Sequence, residues 1–266
     1  MMTPAVDGSA GTRCGVCSRL RRWARGTGFN VTEVCSAIVI AVALAGGYST
    51  AIAQPRGPSA ADLRDESEQR QPLLFHEAWQ QPPYVGTLDD RARRITQAAV
   101  SNPDLRLHLY GEDAGAVEVW THEGRRDLWT GLTKSPVAVT LEEKNAYIDL
   151  TGRARLRWMT RTENLHVLHP VVKLADGTLL AGSQAVSSPQ TLGGPGEFVV
   201  SEVTFDAQRW FTLDPVRVVT TREVLHPDLS RVQEIGFVDL MPGGGHGFDG
   251  CSNVSWIELY AGTHKR

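Results

Sequence analysis

Cysteine is scarce where a disulfide would need it. Of four cysteines, Cys14, Cys17 and Cys35 lie in the leading segment and only Cys251 follows. Once that segment is removed no intramolecular disulfide can form, so the domain must be held by its own core, which a chain of this length can build. Cys14 and Cys17 have a Cys-x-x-Cys spacing but no second ligand pair, which argues against zinc or redox chemistry. A basic surplus is missing too. The formal charge is −3 and the later arginines are scattered, which makes nucleic acid a poor partner. The apolar run 37–47 falls short of the roughly 18 to 20 residues that span a bilayer. There is no His-Glu-x-x-His, no Gly-x-Ser-x-Gly elbow, no Walker loop and no dinucleotide fingerprint after a strand. Gly243-Gly244-Gly245 has no lysine-bearing helix behind it.

What the chain does have begins with an export pattern. Arg13, Arg19, Arg21, Arg22 and Arg25 form a positive region, the apolar run 37–47 follows, and Ala51-Ile52-Ala53 fits a small-residue cleavage site. Residues 1–53 therefore read as a signal peptide. Residues 54–72 are polar, carry Pro55 and Pro58, and read as a flexible linker. The expected location is secreted or periplasmic, with no membrane span after cleavage.

Residues 73–262 then read as one domain of short strands. Leu105, Leu107 and Leu109 alternate with Arg106, His108 and Tyr110, and Val137, Val139 and Leu141 alternate with Ala138 and Thr140. Asp176-Gly177 between two apolar runs is a hairpin signal. One short helix is expected over 88–100, stopped by Asn102-Pro103. Strands without interleaved helices predict an all-β fold, a single antiparallel β-sandwich of jelly-roll type. The stretch 232–260 organises it: two strand-like runs flank a glycine-rich loop. Ile235 and Phe237 oppose Glu234 in the first run, while Ile257 and Leu259 oppose Trp256, Glu258 and Tyr260 in the second.

The run 228–237, the glycine-rich loop and Trp256-Ile257-Glu258-Leu259-Tyr260 resemble the closing strands of galactose-binding-like jelly rolls, including non-catalytic carbohydrate-binding modules. More loosely, Trp129-Thr130-Gly131 and Gly236-Phe237-Val238-Asp239-Leu240 resemble elements of secreted bacterial β-sandwich proteins. The resemblance implies a sandwich that binds sugar. It also implies a structural calcium between the first and last strands, with Glu77 and Glu258 as its carboxylates.

Candidate ligand-binding residues follow from chemistry. Sugar rings stack on flat side chains while their hydroxyls seek fixed polar groups. Trp120 and Trp129 are the expected reachable aromatics, and Trp158, sharing the parity of Leu156, is expected in the core. In the loop 239–249, glycines would present His246 beside Asp239 and Asp249. Cys251 reads as a small buried hydrophobe. The expected function is non-catalytic binding of carbohydrate or another cell-envelope ligand. A hydrolase or lyase remains an alternative, with Glu118, Asp127, Glu142, Asp149, Glu163 and Asp239 as available carboxylates. A structural or protein-binding envelope domain is the third.

Overall fold

The computed structural model describes residues 71–82, 93–122, 124–189, 196–245 and 250–266, all within the unit Ala60–Arg266. The expected signal peptide and nearly all of the expected linker fall outside these residues, as do His246 and Asp249. The strands are β1 (Leu73–Glu77), β2 (Leu105–Tyr110), β3 (Glu118–His122), β4 (Arg125–Trp129), β5 (Val137–Glu143), β6 (Ala146–Asp149), β7 (Arg155–Thr162) and β8 (Leu168–Leu174). They continue as β9 (Leu179–Gly182), β10 (Val199–Thr204), β11 (Trp210–Leu213), β12 (Thr220–Val224), β13 (Val232–Asp239), β14 (Ser252–Tyr260) and β15 (Gly262–Lys265). All named pairings are antiparallel.

Two sheets result. A six-stranded sheet runs β10-β7-β14-β4-β3, with β1 also on β14, and a nine-stranded sheet runs β12-β11-β9-β8-β13-β5-β2, with β6 attached at β13 and β15 attached at β6. Alternation decides what each buries. Leu156, Trp158, Ile257 and Leu259 from the smaller sheet and Leu141, Val172, Ile235 and Phe237 from the larger join one apolar cluster. The all-β sandwich expected from the patterning is what the chain forms. β13 and β14, the two runs flanking the glycine-rich loop, belong to different sheets, so that loop crosses the sandwich.

The Asp176-Gly177 hairpin joins β8 to β9 as expected. Gly177 takes a left-handed φ of 90°, its N–H donates to Leu174 O at 2.9 Å, and Asp176 Oδ1 accepts the Thr178 N–H at 2.8 Å. The helix expected over 88–100 is corrected in its described part. Ile95 donates its N–H sideways to Val117 O and Arg94 bridges Glu118, so the backbone is committed to β3 before a helical turn can close. Only a 3-10 turn, Gln97–Ala99, remains.

The outer face of the larger sheet carries a charged row, Arg106, Glu142, Glu234 and Lys173, on four adjacent strands. Both carboxylates are buried and every oxygen is engaged. Glu142 meets His108 Nε2 at 2.7 Å, Arg106 at 3.2 Å and Arg266 at 2.6 Å. Glu234 accepts from Tyr110 OH (2.7 Å), Thr140 Oγ1 (2.6 Å) and Lys173 Nζ (2.9 Å). Burial alone would raise the Glu142 carboxyl, but the His108 hydrogen bond and the Arg266 charge hold it down to about 2. Burial, then the Glu234 hydrogen bond, pushes the Tyr110 phenol up to about 12. A network in which every carboxylate oxygen is bonded ties the strands together.

Candidate functional site

Residues directly paired in an antiparallel ladder point to the same face, so register lays out the outer face of the six-stranded sheet row by row. Leu156, Trp158, Ile257 and Leu259 point inward, and the residues between them point out. One row is Glu118, Trp129, Asn253 and Arg161, from β3, β4, β14 and β7. A bulge at Ser255 then shifts the parity of β14 and re-aims Trp256 onto the same side. Below it lie three rows: Trp256, Met159, Val200; then His76, Glu258, Arg157, Glu202; then Leu73, Tyr260, Arg155, Thr204.

The upper half of this face is closed except at Trp120, which is half-buried. Asp127 and Asn253 are fully buried, and Glu118 and Trp129 nearly so. Asn253 Nδ2 donates to Asp127 Oδ1 at 2.5 Å, Arg161 Nε donates to Asn253 Oδ1 at 3.2 Å, and Trp120 Nε1 donates to Glu118 Oε2 at 2.6 Å. Trp120 and Trp129, both expected in the site, meet edge to face with ring centroids 4.9 Å apart. Trp129 was expected to be reachable and is not. Its indole lies against the bare α-carbon of Gly131, where a Cβ would stand 2.1 Å from the ring, so a glycine two residues on creates the slot that buries it.

The lower half is open. Val200 is 50% exposed, and Met159, Trp256 and Tyr260 are half-buried. The Arg155 guanidinium sits 4.0 Å from the Tyr260 ring centroid and the Arg157 guanidinium 5.9 Å from that of Trp256, fixing both rings by cation–π contact. Glu258 Oε2 accepts from Arg157 Nη1 at 2.9 Å and from the Tyr260 hydroxyl at 3.1 Å, and His76 Nδ1 lies 3.3 Å from Oε1. Beside Tyr260 opens a groove of about 460 Å³ lined by Arg153, Arg155, Arg157, Glu202, Thr204 and Asp206.

The remaining expected site residues go elsewhere. Asp239 is buried on the inner side of β13, with its carboxylate 2.7 Å from His166 Nδ1 and accepting the Met241 N–H at 3.1 Å. It forms part of the interior rather than of a ligand-facing loop. Glu77 and Glu258 cannot share an ion, because Glu77 pairs with Ile257 and faces inward while Glu258 pairs with His76 and faces outward. Glu77 accepts the backbone N–H groups of Trp79 (2.8 Å), Ser101 (2.8 Å) and Asn102 (3.0 Å) and the Ser101 hydroxyl (2.9 Å). It clamps the turn before β2. Cys251 is free and buried as expected, and burial followed by the Glu163 charge pushes its thiol up to about 12, leaving it no nucleophile at neutral pH.

Sequence reasoning placed Trp256 and Tyr260 on the outside of the last strand but missed Met159, Arg155, Arg157, Val200 and His76 beside them. The alternation Arg155, Arg157, Met159, Arg161 was a signal that one side of β7 is not core. What stands next to it depends on cross-strand register.

No family model matches the chain, and no curated protein matches it. Solved structures that it resembles include family 11 carbohydrate-binding modules, an exo-β-agarase and a seed lectin. One is a family 11 carbohydrate-binding module of a cellulosomal cellulase of Clostridium thermocellum, 11% identical over 60% of this chain and 85% of that one, with a TM-score of 0.34. A family 11 module from the same organism in complex with a β-1,3-1,4-mixed-linked tetrasaccharide is 12% identical over 70% of this chain and 95% of that one, with a TM-score of 0.34. The seed lectin of Lotus tetragonolobus is 8% identical over 62% and 96%, with a TM-score of 0.30. At such scores none of them transfers a site or a ligand to this chain.

Proposed function

We propose that this chain is an exported, non-catalytic sandwich that binds glycan on the open outer face of its six-stranded sheet, at the cell envelope or beyond it. One observation carries the reading: an apolar row of Trp256, Met159 and Val200 lies directly beside a row of fixed hydrogen-bonding groups, Glu258, Arg157 and Glu202. A sugar ring has the same division, an apolar face and a rim of hydroxyls. The guanidinium contacts fix the rings beforehand, so less side-chain entropy is lost on binding. Export rests on the basic region, the apolar run and Ala51-Ile52-Ala53. The test is a glycan array probed with the purified chain and with a Trp256→Ala/Tyr260→Ala double variant. Retention by a restricted set of glycans, lost in the variant while its thermal midpoint stays within a few degrees, is the expected result; equal retention by both proteins contradicts the assignment.

A further inference from the structure

Resting on the glycan-binding reading of this face, we infer that its ligand is an uncharged oligosaccharide chain, and that acidic glycans are turned away by the carboxylates spaced between its arginines. Arg153, Arg155 and Arg157 would by themselves suit a uronate or a sulfate. They are matched by Glu202, Asp206 and Glu258 on the same part of the surface. Arg155 Nε lies 3.3 Å from Glu202 and Arg157 Nη1 2.9 Å from Glu258, while Arg153 and Asp206 line one groove.

An anion reaching either paired guanidinium meets a carboxylate already in contact with it. Such like-charge juxtaposition is how a surface rejects a wrong partner. A hydroxyl meets no such conflict, because it donates to a carboxylate oxygen and accepts from a guanidinium N–H at once. The alternation of donors and acceptors across β10, β7, β14 and β1 is therefore suited to polyols and unsuited to polyanions.

Length follows from the strand. Trp256 and Tyr260 stand four residues apart on β14, about 13 Å along an extended backbone. A single pyranose does not reach both. A chain of several sugars does, and the groove beyond Tyr260 extends the track past the second ring.

The experiment is affinity electrophoresis of the full chain in gels containing an uncharged β-glucan, a polyuronate, or a sulfated dextran, run alongside Trp256→Ala and a Glu202→Gln/Asp206→Asn variant. The expected result is retardation by the uncharged polymer alone, changed less than about twofold between about 0.05 and about 0.5 M salt. A uncharged oligosaccharide should compete and its monosaccharide should not. Removing Glu202 and Asp206 should let the polyuronate or the sulfated polymer retard the protein, and which of them does so separates carboxylate from sulfate recognition. Retardation of the unaltered chain by an acidic polymer, lost in Trp256→Ala and weakened tenfold by salt, would overturn the inference while leaving the glycan site in place. If no polymer retards the chain and Trp256→Ala is indistinguishable from it, the binding reading fails and the inference with it.

Discussion

Glu77 and Glu118 are chemically identical and almost equally buried, yet their surroundings give their removal opposite signs. Glu77 is surrounded by donors, three backbone N–H groups and a hydroxyl, which a glutamine cannot satisfy because its NH2 would face another N–H. Glu77→Gln should therefore destabilise the domain by about 1–3 kcal/mol, since hydrogen bonds to a charge are strong and the half-buried Asn102 N–H is left facing the new NH2. Glu118 has one oxygen bonded to Trp120 Nε1 and the other without a partner among the described residues. A glutamine there keeps the bonded oxygen and removes a buried charge, so Glu118→Gln should raise the thermal midpoint. Thermal unfolding of the two variants checks both. If Glu118→Gln falls as far as Glu77→Gln, the second Glu118 oxygen has an acceptor role that the described residues do not account for.

At the scale of strands, the charged row over β2, β5, β13 and β8 makes the larger sheet sensitive to acid. The Glu142 carboxyl is held at about 2 when folded, against an ordinary value of 4.5. Its contribution is then complete above pH 4.5 and is lost as the pH falls from there toward 2, because the unfolded chain takes up the proton first. Replacing it with glutamine leaves the partly exposed Arg106 and Arg266 without their carboxylate and should cost about 1–3 kcal/mol at neutral pH, the range for losing hydrogen bonds to a charged group. It should also flatten the fall in stability across that acid window. Urea midpoints of both proteins across a pH series measure the two effects together, and parallel curves would mean that Glu142 is not the group being titrated.

The strands also mark how far sequence could be read. Parity along one strand is local, so the inward Ile257 and Leu259 and the hairpin at Asp176-Gly177 were legible, as was the outward turn of Trp256 and Tyr260. Neighbours across strands were not. Glu118, Trp129, Asn253 and Arg161 form one row from four strands, and a register slip of one residue would replace every member. That is why Glu77 and Glu258 could be matched by their place at the two ends of the domain and still lie on opposite faces. The expected helix failed for a related reason, since pairing of Ile95 with Val117 comes from residues beyond the window in which helical periodicity is read. Asp239 was misplaced because a glycine-rich loop beside it suggested exposure, whereas the interior supplies it with His166 and Thr130 as partners.

For the whole molecule, the two outer faces divide the work. The larger sheet spends its polar groups on each other, and the smaller sheet leaves Trp256, Met159 and Val200 partly exposed beside charges that hold one another in place. The central claim is that ligand settles on the second of these faces and nowhere else. Its most direct measurement is a nuclear magnetic resonance titration of the full chain with an uncharged oligosaccharide, following the tryptophan indole N–H signals. The account predicts that the Trp256 signal moves progressively to saturation while those of Trp79 and Trp158, sealed in the core with their N–H groups bonded to Val254 O and Ser201 Oγ, hold still. A saturable shift elsewhere with Trp256 unmoved would contradict it.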